Sequence, residues 1–212
     1  MSVDFVYLAS GSPRRRQLLE QIGVPFQVLS VTVDESIMPG EEPAAYVSRL
    51  AGAKAEAGVL SAAAVASARP VLAADTVVVI GREVLGKPRD RDDAIRMLAL
   101  LSGRTHEVLT SIALAAGGRI SCRLSRNEVT FRDISAAEAA DYWDTGEPGD
   151  KAGGYAIQGL GAVFVTQLLG SFSGVMGLPL FETASLLEAA GVPRWTRPVD
   201  TSGGRFPMSG TR

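Results

Sequence analysis

Val71 to Ile80, in the order Val-Leu-Ala-Ala-Asp-Thr-Val-Val-Val-Ile, is the strongest strand signal in the chain. β-branched and small apolar side chains dominate it, and most of them favour burial. One ionisable residue, Asp75, stands in the middle. A fold that accepts this run must bury a strand and also offset a carboxylate inside it. With 212 residues there is ample material for such a core, as one large domain or two lobes.

The segments on either side mix strands with helices. Phe5 to Ala9 reads as a short buried strand that Ser10-Gly11-Ser12-Pro13 breaks. Arg14 to Ile22 then reads as a helix, with Ser12 as N-cap, Pro13 at the first helical position and Leu18, Leu19 and Ile22 as its apolar stripe. A second strand covers Phe26 to Ser30, and Pro43 to about Ala57 has helical periodicity, with Val47, Leu50 and Ala51 on one face. Asp90 caps a helix to Leu101, with Asp93 three residues on. Glu107 to Ala116 and Arg123 to Phe131 are β-rich and meet across Gly117-Gly118, which predicts a hairpin. Ser135-Ala136-Ala137-Glu138 is a capping box opening a helix to Trp143. After a glycine-rich stretch from Gly146 to Gly161 come a strand over Ala162 to Leu169, a turn at Gly170-Ser171-Phe172-Ser173-Gly174 and a helix over Pro179 to Ala190. From Arg194 onward Gly, Ser, Thr, Arg and Pro dominate, which predicts a flexible tail over 194–212 behind a domain of 1–193. The pattern is that of an α/β fold with a mixed sheet and flanking helices.

Composition removes several function classes. The net charge is −2, too acidic for the basic footprint of broad nucleic-acid binding. Aromatics at 6% disfavour a base-stacking module. A single cysteine, Cys122, forbids an intrachain disulfide, and a single histidine, His106, forbids His-rich metal sites. Met1-Ser2-Val3-Asp4 lacks the basic region of a signal peptide, and the small-apolar run Ala57 to Ala68 is short of the ~20 residues of a membrane span. A cytosolic protein is expected.

Five features are candidates to carry chemistry. In the strand–Ser10-Gly11-Ser12-Pro13–helix unit, a helix N-terminus presents unpaired N–H groups and the positive end of a dipole. Arg14, Arg15 and Arg16 oppose that dipole, so either an anion sits in front of them or they form a solvated basic turn. Asp75 is either a functional carboxylate facing a cation or a structural one held by N–H groups or a lysine. Lys54 continues the stripe of Val47 and Leu50, as a site cation or as a lysine that snorkels to water. Lys87 in Gly86-Lys87-Pro88 reads ordinarily as a surface lysine, and the Asp34-Glu35 pair either supplies a hard-metal ligand or is a polar turn. Walker-type and Gly-x-Gly-x-x-Gly loops are absent, and the Gly170–Gly174 spacing does not fit a nucleophile elbow. Cys122 shows no thiolate environment and reads as inert.

Five segments in order closely resemble the Maf family of nucleotide pyrophosphatases. They are Leu8-Ala9-Ser10-Gly11-Ser12-Pro13-Arg14-Arg15, Ala73-Ala74-Asp75-Thr76-Val77-Val78, Gly86-Lys87-Pro88, Leu101-Ser102-Gly103-Arg104-Thr105-His106 and Asp150-Lys151-Ala152-Gly153-Gly154-Tyr155-Ala156-Ile157-Gln158-Gly159. The likeness runs from about Phe5 to Ala190. It implies two lobes around a cleft, similar to inosine triphosphate pyrophosphatases, a divalent cation (Mg²⁺ or Mn²⁺) and commonly a homodimer. The implied activity is cleavage of nucleoside triphosphates between the α and β phosphates. Asp75 would be the proton acceptor, with Glu35, Lys54 and Lys87 completing the catalytic set and Asp75 and Glu35 holding the metal. Arg14, Thr76 and Gln158 would set base preference, with Ser10, Ser12 and Arg15 as further substrate contacts. The Gly-Gly-Tyr-Ala-Ile-Gln-Gly form resembles the dTTP/UTP branch. A 7-methyl-GTP branch enzyme and a non-catalytic nucleotide-binding regulator of cell division are the alternatives, and the presence of Asp75 favours the enzyme.

Overall fold

The computed structural model describes residues 4–61 and 69–196. The order is β1 (Val6–Leu8), α1 (Pro13–Gln21), β2 (Phe26–Val28), α2 (Pro43–Leu60), β3 (Val71–Ile80), β4 (Glu83–Leu85), α3 (Arg91–Leu101), β5 (Thr105–Ala116), β6 (Arg119–Phe131), α4 (Ala136–Asp144), β7 (Val165–Leu169), α5 (Phe172–Met176) and α6 (Leu180–Ala189). Short 3₁₀ turns at Glu147–Asp150, Ala152–Gly154 and Leu160–Phe164 fill the glycine-rich stretch. The strands form one mixed sheet in the order β2-β1-β3-β5-β6-β7, with β4 also on β3. β1 runs parallel to β2 and β3, and every other pairing is antiparallel. The expected mixed sheet with flanking helices is therefore what forms.

β3 organises the interior because its side chains alternate between two faces. Val71 and Ala73 pack with Ala51 and Ala55 of α2, and Val77 and Val79 pack with Val47 and Leu50 of the same helix. On the opposite face Leu72 and Ala74 join α1 and α6 through Leu18, Leu19 and Leu187. Val78 and Ile80 on that face join α3 and α4 through Leu98, Leu101 and Tyr142. Each face thus carries two apolar clusters. Asp75 and Thr76 fall at the seam between them, one on each side of the sheet.

The hairpin forms as expected, with Gly117 at φ 56 and Gly118 at φ 75. Ala116 pairs with Arg119 across those two residues, and positive φ at both is what a tight two-residue hairpin turn requires. The capping box at Ser135 is present, and the Asp90 side chain accepts from Asp93 N at 2.8 Å. Several boundaries differ. β6 begins at Arg119 because Arg119 to Arg123, though exposed, still ladder onto β5. The Ala162–Leu169 segment splits into a 3₁₀ turn and β7. Gly170–Gly174 is not simply a turn. Ser171 caps α5 by accepting from Gly174 N, and Phe172 opens the helix. β4 was not foreseen. Of the segment read as a tail, Trp195 and Thr196 donate backbone bonds to Ile22 and Gly23, and 197–212 lie outside the described residues.

His106 is 2% exposed, between the rings of Phe131 and Tyr155, with Nε2 2.9 Å from the Tyr155 hydroxyl. Burial lowers its pKa to about 4. The native state therefore refuses a proton that the unfolded chain takes up below about pH 6.5. Stability is fully present above that pH and falls by about 3 kcal/mol as pH drops to about 4. Thermal unfolding at pH 7 and 4.5 is expected to show this loss in the wild type and to show it much reduced in His106→Gln. An equal loss in both would place the sensitivity elsewhere.

Candidate active site

The site opens where the sheet leaves an edge unpaired. β1 pairs with β3 only through Tyr7–Val71 and Leu8–Leu72, and β4 joins β3 only from Val78. β5 holds the other edge throughout. Asp75 to Val78 consequently line a cleft of about 670 Å³. The chain leaving β1 turns into α1 on one face, and the chain leaving β2 reaches α2 on the other. Such a divergence beyond the carboxyl ends of parallel strands is where open α/β sheets bind ligands.

Lys54 is the hub of the charged wall. Its Nζ lies 2.6 Å from Asp75 Oδ1 and 2.6 Å from Glu35 Oε1. The Asp75 and Lys54 side chains are 12% and 15% exposed, and that of Glu35 is 60% exposed. The Glu35 carboxyl is held below its usual range, chiefly by its hydrogen bond from Lys54, with Lys87 and Arg15 adding to the effect against burial. The loop carrying Glu35 is fastened to α2. Tyr46 donates its hydroxyl to the Glu35 carbonyl at 2.8 Å, and Arg49 binds Glu41 and the Ser36 carbonyl. Asp34 does not enter the site. Its carboxylate accepts from Ser36 N at 2.9 Å and closes a turn.

The second wall is the start of α1. Ser12 occupies the N-cap position with extended backbone, yet its side chain makes no capping bond, contrary to expectation. Ser12 N instead donates to Ser10 Oγ at 3.3 Å. Arg15 is drawn inward: Nε donates to the Gly177 carbonyl at 2.8 Å, Nη1 to Ser10 Oγ at 2.9 Å and Nη2 to Thr76 Oγ1 at 3.1 Å. Burial lowers its pKa to about 10, against the pull of Asp75, so it remains charged at neutral pH. Arg14 reaches across the cleft, with Nη1 3.4 Å from Asp150 Oδ2.

The third wall comes from the glycine-rich segment. Gly153 has φ 69, and a Cβ there would lie 2.9 Å from Val78 Cγ2. Glycine lets this turn press onto β3, where Gly153 N donates to the Gly86 carbonyl at 2.9 Å. That contact places Lys87, an exposed residue with no ion pair among the described residues, at the cleft. Glu147 accepts from Tyr142 Oη, Leu160 N and Gly161 N, which fixes the stretch that presents Gln158. Lys151 also lines the cleft, bonded to the Glu147 carbonyl and paired with Asp150.

Asp75, Glu35, Lys54, Lys87, Ser10, Ser12, Arg14, Arg15, Thr76 and Gln158 therefore line one cleft. Asp150, Lys151 and Thr110 were not singled out from sequence. The first two belong to a motif that carried the resemblance, but nothing in a linear reading says that Asp150 meets Arg14. Thr110 is fully buried, and its place opposite Thr76 depends on strand register.

Residues 5–190 match the family described as Maf-like protein. A dTTP/UTP pyrophosphatase of Saccharophagus degradans is 58% identical over 190 residues, 90% of this chain and 90% of that one. One from Pseudoalteromonas atlantica is 54% identical over 181 residues, 85% of this chain and 94% of its own. One from Chromobacterium violaceum is 50% identical over 188 residues, 88% and 94% respectively. Among solved structures, the Staphylococcus aureus Ham1 protein overlaps 63% of this chain and 73% of its own at a TM-score of 0.38 and 13% identity, too slight a likeness to bear on the argument.

Proposed function

This chain belongs to the Maf-like protein family, and we infer that it hydrolyses dTTP and UTP between the α and β phosphates. The observation that carries this reading is the Asp75–Lys54–Glu35 cluster, set in a cleft that also presents Lys87 and the N-terminus of α1. A carboxylate and several cations converging on one opening suit attack of water on a polyanion. The names of the relatives support the choice of base.

Asp75 takes a proton from water as its oxygen bonds to the α-phosphorus. The bond from that phosphorus to the bridging oxygen breaks, and pyrophosphate leaves with the electron pair. Lys54, Lys87 and the free N–H groups at the start of α1 stabilise the charge that moves onto it. The nucleoside monophosphate and pyrophosphate are the products, with one proton released.

The donor set also fits a divalent cation. Asp75 and Glu35 aim oxygens at a single point, now the Lys54 ammonium, and the three side chains sum to −1. Mg²⁺ is typically held by one or two carboxylates plus substrate phosphates. Asp75 and Glu35 would hold Mg²⁺ or Mn²⁺, which supplies charge to offset the phosphates. A homodimer in the cytosol is the setting the family likeness suggests; sedimentation velocity tests the assembly. Among the described residues no helix is long and apolar enough to cross a membrane.

A panel of triphosphates assayed separately for pyrophosphate and orthophosphate tests the reading. UTP and dTTP are expected to lead the panel and release pyrophosphate. EDTA is expected to abolish turnover, with Mg²⁺ or Mn²⁺ restoring it. Orthophosphate and a diphosphate as products would overturn the cleavage site, preference for a purine triphosphate the base choice, and full activity in EDTA the metal.

A further inference from the structure

Asp150 ends the 3₁₀ turn at Glu147–Asp150, and Lys151 is the extended residue between it and the turn at Ala152–Gly154. Both line the cleft, as does Arg14 in the first turn of α1. The Asp150 carboxylate bridges two cations. Its Oδ2 lies 3.4 Å from Arg14 Nη1, and its Oδ1 accepts from Lys151 Nζ. Among the described residues Asp150 is the only ion-pair partner of either cation.

A carboxylate is out of place in a cleft that receives a polyanion, unless it serves the chemistry or holds a place. Asp150 is no part of the Asp75–Lys54–Glu35 cluster. Exposure shows which members of the bridge are built in. The Arg14 and Lys151 side chains are 20% and 15% exposed, and that of Asp150 is 58% exposed. The cations are set in the wall, whereas the carboxylate reaches them from the solvent side and can turn back to water at little cost.

The backbone pins Lys151 on both sides. Its N donates to the Pro148 carbonyl and its carbonyl accepts from Gly154 N, both at 3.0 Å. Nζ donates to the Glu147 carbonyl at 3.2 Å, while the Glu147 carboxylate turns away to Tyr142 Oη, Leu160 N and Gly161 N. An ammonium has three protons to give. One goes to Glu147, one to Asp150, and the third has no acceptor among the described residues. Arg14 stands at the positive end of the α1 dipole, and its charge adds to burial in lowering the pKa of Arg15. Burial would raise the Asp150 carboxyl, yet the hydrogen bond from Lys151 and the charges of Lys151 and Arg14 hold it below its usual range. The three side chains still sum to +1.

Carboxylates and phosphates are met by the same cations through paired oxygens. We propose that Lys151 and Arg14 form a phosphate subsite, which Asp150 fills in the free protein and a phosphate of nucleotide or pyrophosphate takes over. This rests on the cleft being the triphosphate site, as read above. Asp150 then competes with the product for both cations and speeds its release.

Titration calorimetry with inorganic pyrophosphate, and separately with UMP, reads the subsite without turnover. Asp150→Asn keeps the shape and removes the competitor, and the Kd for pyrophosphate is expected to fall about tenfold. The same gain for UMP instead assigns the subsite to the α-phosphate. Lys151→Met keeps the stem without the charge and is expected to raise the Kd about tenfold. In that background the gain from Asp150→Asn is expected to shrink to about threefold or less, since the two residues act as a pair. Asp144→Asn removes a similarly exposed carboxylate, paired with Arg91 and absent from the cleft lining, and is expected to change nothing. A folded Asp150→Asn that binds both ligands like the wild type overturns the proposal. So do an equal gain with and without Lys151, an equal gain from Asp144→Asn, and an absence of binding to wild type and Asp150→Asn alike. If wild-type protein releases no pyrophosphate from UTP, the functional reading fails, while the Kd series still decides the subsite.

Discussion

Asp75→Asn is expected to leave a folded protein whose turnover of UTP is lower by ~100-fold or more. The physical case rests on what the substitution removes and what it keeps. Asparagine has nearly the same shape, so the seam between the clusters at Val71, Ala73, Val77 and Val79 stays filled. Lys54 retains Glu35 as its counter-charge at 2.6 Å, so no cation is stranded. What disappears is the only charge and the only base that β3 places in the cleft. Steady-state kinetics together with a thermal melt would separate the outcomes. Near-normal turnover would remove Asp75 from the chemistry, and loss of the cooperative melt would make the carboxylate chiefly structural.

Much of the fold was legible because its strongest elements carry local signals. β3 is apolar on both faces, the capping box at Ser135 is written in four residues, and Gly117-Gly118 can take the positive φ values of a tight hairpin turn. The elements that escaped are those whose stability comes from elsewhere. Glu83–Leu85 is a three-residue strand held by pairing to Val78–Ile80. Phe172–Met176 is short, with glycine inside it, and stands because Ser171 caps it and Gly174 fits against Asn127 and Ser125. Arg119 to Cys122 is exposed and lies before the expected start of the strand at Arg123, yet its backbone continues the ladder.

At the site, sequence gave candidates but not partners. The oddity of Asp75 in an apolar run predicts that something must offset its charge, and the structure supplies Lys54. Lys54 sat on an apolar stripe because that stripe faces β3, so its head reaches the strand's carboxylate and not water. Arg15 was legible as a cation near an anion site, but its three bonds go to Ser10, Thr76 and Gly177 of the protein itself. No linear reading shows that Thr110 lies opposite Thr76, since register emerges only when the sheet closes.

Lys54→Ala is expected to be the more damaging of the two changes at this cluster in stability, with a comparable loss in rate. Removing a lysine leaves two carboxylates facing each other, and one of them, Asp75, is only 12% exposed. Breaking a buried pair by deleting one partner costs roughly 3 kcal/mol or more, because the remaining charge is stranded. For a domain of this size that lowers the melting temperature by roughly 10 °C at neutral pH. Kinetically, the cation proposed to stabilise the departing pyrophosphate is gone, and kcat/KM for UTP is expected to fall by ~100-fold. The double variant Lys54→Ala/Asp75→Asn removes the stranded charge and is expected to melt above Lys54→Ala while remaining inactive. That reversal, stability up with no gain in rate, is the signature of a cluster in which one lysine both holds the carboxylate and serves the reaction. Should Lys54→Ala melt like the wild type, the 2.6 Å contacts would carry little energy; should it also turn over normally, Lys54 would be an ordinary edge lysine after all.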